Sequence, residues 1–344
     1  MPDDGGHPLA SPRSRARGVA PSAGGDRETR ILQPEGFRHE ALLYAGEDEF
    51  VVKTGTFVRD GLEAGEEVLV VVGGRKIELL REHLGDDARH VLFADMARIG
   101  RNPAWIIAAW RDFVAARERS GRRLRGVGEP IDGSRDPDAL VECQRHEALL
   151  NVAFAGSRSW WLVCPYDTSV LGPSVVSEAL RTHPHVTNGG SHASELWVGL
   201  DACAARVEAP LPPAPGDALS LTFTRNELAA VRDRVAKRLW ALGVDASTIR
   251  DLVLAVHELA SNSVQHGGGS GTLRLWAEDR FVLAEVEDRG RIADPLAGRV
   301  RPAADGARGR GLWLATRLSD LLQIRTSGDG SVVRIRMRRT RSAG

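Results

Sequence analysis

The segment from Ile249 to Gly267 constrains this chain more than any other. Apolar residues recur at Ile249, Leu252, Val253, Val256, Leu259 and Val264, which is helical spacing. Through the same stretch Glu258, Asn262 and His266 follow one another at steps of four. At about 100° per residue, Glu258 and Asn262 fall on a face roughly opposite the apolar stripe. The spacing predicts a helix that buries one side and presents a carboxylate and a carboxamide from the other. Asn offers a neutral oxygen to a hard cation such as Mg²⁺, and Glu can act as a base or orient water. Taken alone, a helix with a polar face is ordinary. The residues C-terminal to it narrow the reading.

Phe281 to Glu287 reads as a strand and ends in Asp288-Arg289-Gly290. An Asp at a strand end can accept a hydrogen bond from an exocyclic amine, and a Gly beside it lets a flat base approach the backbone. Asp and Gly are also common turn residues, so a plain turn accounts for the pair equally well. From Ile292 to Arg308 the chain is polar and Arg-rich, contains Pro295, Pro302 and Gly306, and shows no periodicity; a mobile loop is expected there. It runs into Gly309-Arg310-Gly311-Leu312-Trp313-Leu314, where helical spacing resumes. Glycines opening a helix allow backbone N–H groups to face a phosphate, and Arg308 and Arg310 add positive charge. Strands Leu321–Thr326 and Ser331–Met337 close the sequence around the turn at Ser327-Gly328-Asp329-Gly330.

The order of these pieces resembles the GHKL ATPase family, which includes gyrase, MutL and the histidine kinases. Within it, roughly Ala218–Arg339 is most similar to the anti-sigma-factor serine/threonine kinases. The resemblance implies a two-layer α/β sandwich of the Bergerat type, with ATP and Mg²⁺ as cofactors. It implies that Asn262 coordinates Mg²⁺, that Glu258 is the general base and that Asp288 binds the adenine amino group, with Gly290 making room for the ring. Gly309 and Gly311 would hold the phosphates, flanked by Arg308 and Arg310, and His266 would lie near the lid. The sequence departs from the family at Ile292, where a second glycine is usual, and at Gly330-Ser331, where Gly-Thr is usual. Ser331 keeps the hydroxyl.

A chain of 344 residues predicts two domains. Basic and acidic residues balance at 46 each, so no net field advertises a nucleic-acid or membrane partner. Apart from Lys53, Lys76 and Lys237 the basic residues are all Arg, which lowers the weight of any Arg cluster, 334–341 included. Cys143, Cys164 and Cys203 have no CxxC spacing, and a reducing cytoplasm is expected. No apolar run approaches the eighteen or so residues that span a bilayer. Residues 1–30 read as a disordered tail without the apolar core of a signal peptide. Residues 201–217, around the Pro-rich Glu208–Gly216, read as a linker leaving either arrangement of its neighbours open. These limits give a domain at 31–200 and a second at 218–344.

In the first domain, strands are expected at His39–Tyr44, Glu67–Val72, Arg89–Phe93, Arg123–Gly128 and Ser159–Cys164. Helices are expected near Asp48–Leu62, Arg75–Leu84, Pro103–Arg119 and Pro137–Ala155. Such alternation argues an α/β fold with a doubly wound, mostly parallel sheet. The motifs His39-Glu40-Ala41-Leu42-Leu43-Tyr44, Gly126-Val127-Gly128-Glu129-Pro130, the helix with Glu142, Glu147 and Asn151, and Leu162-Val163-Cys164-Pro165-Tyr166-Asp167 resemble the MEDS domain. That is a sensory module related to RecA- and Rossmann-like folds, which implies an unidentified ligand or signal. By topology a ligand would lie at the C-terminal strand ends, near Glu129, Tyr166, Asp167 and His39. Gly73-Gly74-Arg75-Lys76 lacks the G-x-x-x-x-G-K-[ST] pattern and is not expected to bind a second nucleotide. His183, His185 and His192 lack carboxylate or thiolate neighbours at metal spacing, and no metal is expected there. The pentapeptide HEALL occurs at 39–43 and 146–150; one copy reads as strand and the other as helix, so the repeat reads as chance.

Together these readings favour a cytoplasmic, ATP-dependent anti-sigma regulator acting in transcription control. It would phosphorylate Ser or Thr of a small STAS-domain antagonist, hold a sigma factor, and be tuned by its N-terminal domain. The resemblance is compatible with a homodimer and does not decide it. A sensor histidine kinase is the runner-up, but it needs an acceptor His on a dimerisation helix, and only His146 upstream is a helical candidate. The third reading is a non-enzymatic switch that binds nucleotide and sequesters a partner.

Overall fold

The structure is a computed structural model that describes residues 36–117, 121–157, 160–205, 209–303 and 309–339. The expected tail at 1–30, Arg308 and the first residue of the Pro-rich stretch, Glu208, lie outside the described residues.

The N-terminal part alternates strands and helices: β1 (Phe37–Tyr44), α1 (Gly46–Glu63), β2 (Glu67–Val72), α2 (Gly74–Leu84), β3 (Val91–Asp95), α3 (Met96–Ile99), α4 (Ile106–Arg117), β4 (Leu124–Gly128), α5 (Pro137–Ala153), β5 (Trp160–Asp167), α6 (Pro173–Thr182), β6 (His185–Thr187), β7 (Ser191–Ala193) and α7 (Leu200–Ala204). The sheet order is β3-β2-β4-β5-β1-β6-β7. Its strands pair in parallel except for the antiparallel β6–β7 hairpin at one edge. The apolar run of β2, EVLVVV, suits a sheet covered on both faces. Two apolar cores flank it. One gathers Ala41, Trp110, Leu149, Leu162 and Tyr166; the other gathers Tyr44, Phe50, Val70, Val127 and Val163. Period two therefore sends His39, Ala41, Cys164 and Tyr166 to one face and Leu42, Tyr44 and Val163 to the other.

The C-terminal part runs β8 (Leu219–Thr224), α8 (Leu228–Ala241), α9 (Ala246–His266), β9 (Ser270–Glu278), β10 (Phe281–Asp288), α10 (Arg310–Leu318), β11 (Leu321–Thr326) and β12 (Ser331–Arg338). The strands form an antiparallel sheet in the order β11-β12-β10-β9-β8. Val235 and Leu239 of α8, Leu252, Val256 and Leu259 of α9 and Ala315 of α10 pack with Leu275, Val282, Ala284 and Ile335 in one core. Asp245 caps α9 by accepting from the backbone N–H groups of Ser247 and Thr248 at 3.0 and 3.1 Å.

The two parts are joined by polar contacts that no sequence period announces. The Asn102 amide donates to the Thr316 and Ser319 carbonyls at 3.0 and 3.2 Å, and the Trp105 indole donates to Thr316 at 2.7 Å. The Arg317 guanidinium lies 3.7 Å from the centre of the Trp105 ring. Arg336 donates to Asp136 at 2.7 Å. The Pro-rich stretch lies against this side too, since Arg334 donates to the Pro212 carbonyl at 2.6 Å. Of the arrangements that the linker sequence leaves open, the structure shows one in which the two parts touch.

The expected loop at Ile292–Arg308 also differs. Its described part is held down: Leu296 and Val300 pack against the N-terminal core, and Arg299 is 1% exposed. Arg299 donates to Glu142 of α5 at 2.9 Å. Ile292 packs against the core of its own domain, whereas Leu296 and Val300 bury against the other, so no single period marks the segment in sequence.

Candidate functional site

Helix α9 carries Glu258 and Asn262 on a half-buried face, one turn apart, as the spacing predicts. Its C-terminal turn delivers exposed His266. Opposite stands the end of β10. The Asp288 carboxylate is fixed from two sides: Ser263 donates to Oδ2 at 2.6 Å, and the Gly290 backbone N–H donates to Oδ1 at 2.8 Å. Ser331 ties the following loop down. Its hydroxyl donates to the Gly290 carbonyl at 2.9 Å and accepts from the Ile292 backbone N–H at 3.2 Å.

Asn262, His266, Asp288, Gly290, Ile292 and Gly309 border one cavity of about 150 Å³, together with Ser263, Gly267 and Leu312. Small-molecule sites usually run from roughly 300 Å³. The cavity has room for a heteroaromatic ring, and a longer ligand must extend toward Gly309 and the start of α10. Glu258, Arg310, Gly311 and Ser331 are not among its walls. Glu258 lies a turn further along α9, beside Gly311. Ser331 stands behind the Asp288–Gly290 loop, and Arg310 is exposed at the N-terminus of α10.

Glycine is required here by close approach. A Cβ on Gly290 would lie 2.6 Å from the His266 carbonyl, and one on Gly267 would lie 2.6 Å from both Asp288 oxygens. A Cβ on Gly311 would lie 2.9 Å from the Asn262 amide and 3.0 Å from the Glu258 carboxylate. The N-terminus of α10 thus sits directly over the Glu258–Asn262 pair, bringing backbone N–H groups and the positive end of a helix dipole to those side chains. Gly309 caps that helix at φ 83°, a left-handed conformation that glycine adopts without strain.

This donor set fits a purine nucleotide with a hard divalent cation. Asp288 is an oriented acceptor, the glycines leave a ring-sized slot, Asn262 offers a neutral oxygen and α10 offers phosphate donors. Two contributors were not singled out in the sequence, Ser263 and Gly267. Both sit in the stretch that carries the motif, but their roles depend on Asp288, which arrives from another strand.

The N-terminal candidates separate onto two faces. Glu129 accepts from Tyr44 at 2.6 Å and from Lys76 at 2.5 Å. Burial raises the Glu129 carboxyl above its usual range despite Lys76. Asp167 accepts from Gly46 at 3.2 Å and from Ser169, capping its own loop. His39 and Tyr166 lie on the opposite face of the sheet, beside Cys164. The structure therefore does not bring the four together at the strand ends, because alternation places Tyr44 and Tyr166 on different faces.

Two known families match the chain, one in each part. Residues 38–184 match the family described as the methanogen/methylotroph DcmR sensory domain, MEDS. Residues 221–337 match the histidine kinase-like ATPase domain. Among solved structures, the RsbU and RsbW domains of a Mycobacterium tuberculosis protein show 27% identity at a TM-score of 0.30. That match covers 38% of this chain and 34% of the other, so the chain spans about a third of that structure's length. Among the described residues no helix is long and apolar enough to cross a membrane. The chain thus carries a MEDS sensory domain followed by a histidine kinase-like ATPase domain.

Proposed function

We propose that this chain is an ATP-dependent anti-sigma regulator that phosphorylates Ser or Thr of a STAS-domain antagonist, under control of its MEDS domain. The observation that supports the reading is the packing of Gly311 against Glu258 and Asn262, which sets the N-terminus of α10 over a carboxylate and a carboxamide. In this reading Mg-ATP supplies the phosphoryl group. Asn262 holds the cation, and Asp288, set by Ser263, takes the adenine amino group. Glu258 draws the proton from the acceptor hydroxyl. Domain limits at 31–200 and 218–344, a cytoplasmic location and a sigma-factor partner belong to the same proposal.

The control route is supported by the loop that begins at Ile292, which in this reading is the lid of the nucleotide site. Its residues Leu296, Arg299 and Val300 are held by the N-terminal domain, so a change in that domain reaches the nucleotide site directly. The histidine-kinase alternative is disfavoured because His146 is 1% exposed within α5 and out of reach of an acceptor reaction.

Incubation of the purified chain with Mg²⁺ and γ-labelled ATP, with each STAS-domain protein of its genome in turn, tests this. Acid-stable label on one STAS protein is expected. ATP binding with no transfer to any of them would turn the reading to the nucleotide-gated binding switch.

A further inference from the structure

On one face of the N-terminal sheet four metal-ligating side chains from four elements converge. They are His39 (β1), Glu147 (α5), Cys164 (β5) and His183, which follows α6. Their ligand atoms all lie within 4.8 Å of one another. Each residue is 1% exposed or less. The His39 Nε2 is 3.1 Å from the Glu147 Oε2 and 3.4 Å from the Cys164 Sγ, and the His183 Nε2 is 3.3 Å from the same carboxylate oxygen.

The surroundings set the tautomers of both imidazoles. His183 Nδ1 lies 2.8 Å from the Ala179 carbonyl, which can only accept, so Nδ1 carries the proton. The Asn151 amide nitrogen faces the carbonyls of Glu147, Ala148 and Thr182 at 3.3, 3.2 and 2.8 Å, so its oxygen must be the atom facing His39. His39 Nδ1, 3.1 Å from that oxygen, is therefore the donor. Both neutral imidazoles then aim an Nε2 lone pair at a buried carboxylate. Among the described residues, Glu147 Oε1 and His183 Nε2 have no hydrogen-bond partner.

Lone pairs facing a carboxylate repel unless a cation stands between them. One shared proton would bridge a single imidazole–carboxylate pair and leave the second imidazole Nε2 facing the same oxygen lone pair to lone pair. A metal ion resolves the whole arrangement at once. Ligands around zinc at about 2.0–2.3 Å stand roughly 3.3–3.8 Å apart, close to the separations seen here. The Asn151 and Ala179 contacts are the outer hydrogen bonds that metal-bound imidazoles make. A thiolate and a carboxylate would also balance the charge of a divalent ion.

We propose that His39 Nε2, His183 Nε2, Cys164 Sγ and the Glu147 carboxylate form a binding site for a divalent transition metal of the zinc class. On binding, the Cys164 thiol releases its proton to solvent and the sulfur bonds the metal as thiolate. The ligands come from both strands and helices, and one of them belongs to α5, which also holds the lid through Glu142. Occupancy of the site therefore sets the position of α5 against the ATPase domain. The proposal does not depend on the kinase reading.

The test uses the full chain without a histidine tag, stripped with chelator and titrated with Co²⁺ and then Zn²⁺. One equivalent of Co²⁺ with thiolate-to-cobalt charge-transfer absorption is expected, displaced by Zn²⁺. Cys164→Ser should lose the charge-transfer band, and Glu147→Gln should weaken Co²⁺ binding at least tenfold. Cys203→Ser, which changes a buried cysteine outside the cluster, should leave both unchanged. Circular dichroism confirms that each variant is folded. A folded wild-type chain that binds no stoichiometric metal would overturn the site and leave a hydrogen-bonded cluster. A charge-transfer band that survives in Cys164→Ser would overturn it as well.

Discussion

Asn262 faces the space beneath Gly311, where the start of α10 meets α9. Asn262→Ala is expected to abolish Mg-ATP binding by calorimetry while leaving the fold intact, since the residue is only half-buried. Glu258→Ala should keep ATP affinity and lose about 10²–10⁴-fold in phosphotransfer, the usual contribution of a general base. Steady-state rates with a labelled antagonist check this, and a fully active variant would remove Glu258 from the base role. Gly267→Ala is the sharper steric probe. Its methyl would meet the Asp288 carboxylate, so that side chain must leave its bonds with Ser263 and Gly290. Overpacking of this kind costs about 1–3 kcal/mol, and ATP affinity should drop roughly tenfold or more. These residues differ in how visible they are from sequence. Asn262 and Glu258 declare themselves by period. Ser263 and Gly267 do not, because their partner Asp288 is brought by β10.

Helix α5 is the element on which the two domains depend. One of its turns holds Glu142, which binds Arg299 and Arg325 at 2.9 Å each, and the next presents Glu147 to His39 and His183. The carboxylates at 142 and 147 are separated by somewhat more than a turn, so they face different partners from one rigid rod. Glu142→Gln removes the charge that faces a guanidinium only 1% exposed. Breaking a buried pair from one side costs about 3–5 kcal/mol. Chemical denaturation of the full chain should show a loss of that order, and a change under about 1 kcal/mol would mean that Arg299 finds another acceptor. The two HEALL copies meet at one contact. His39 of the first copy contacts Glu147 of the second, although one copy is strand and the other helix. The repeat read as chance because identical letters in different elements share no period.

At the scale of the molecule, the ATPase domain is held by the MEDS domain at α10 and at the lid. Asn102 and Trp105 donate to the carbonyls that end α10, the helix whose start covers Asn262. Asn102→Ala removes two hydrogen bonds to buried carbonyls, worth about 1–3 kcal/mol where they go unsatisfied. Hydrogen exchange should therefore speed up in α10 and leave β9 and β10 unchanged. Uniform acceleration across both would mean that Asn102 supports global stability and not this junction.

The sequence by itself determined the elements and their order. Apolar period two and period 3.6 respond to local burial, so β1, β2, β4, α1, α2 and α5 fall within a few residues of expectation. The short β6–β7 hairpin escaped, being three residues per strand with too little pattern to read. Asn262, His266, Asp288, Gly290 and Gly309, which the structure brings to one cavity, are legible as a group because they cluster in three contiguous motifs. Three features were left to the tertiary structure: the packing of Leu296, Arg299 and Val300 on the other domain, the contact between the two parts, and the convergence of His39, Glu147, Cys164 and His183. Around the histidines at 183–192 the sequence has no thiolate or carboxylate at metal spacing. The partners of His183 come from β1, α5 and β5, more than a hundred residues away for His39, and only the tertiary fold brings them within reach.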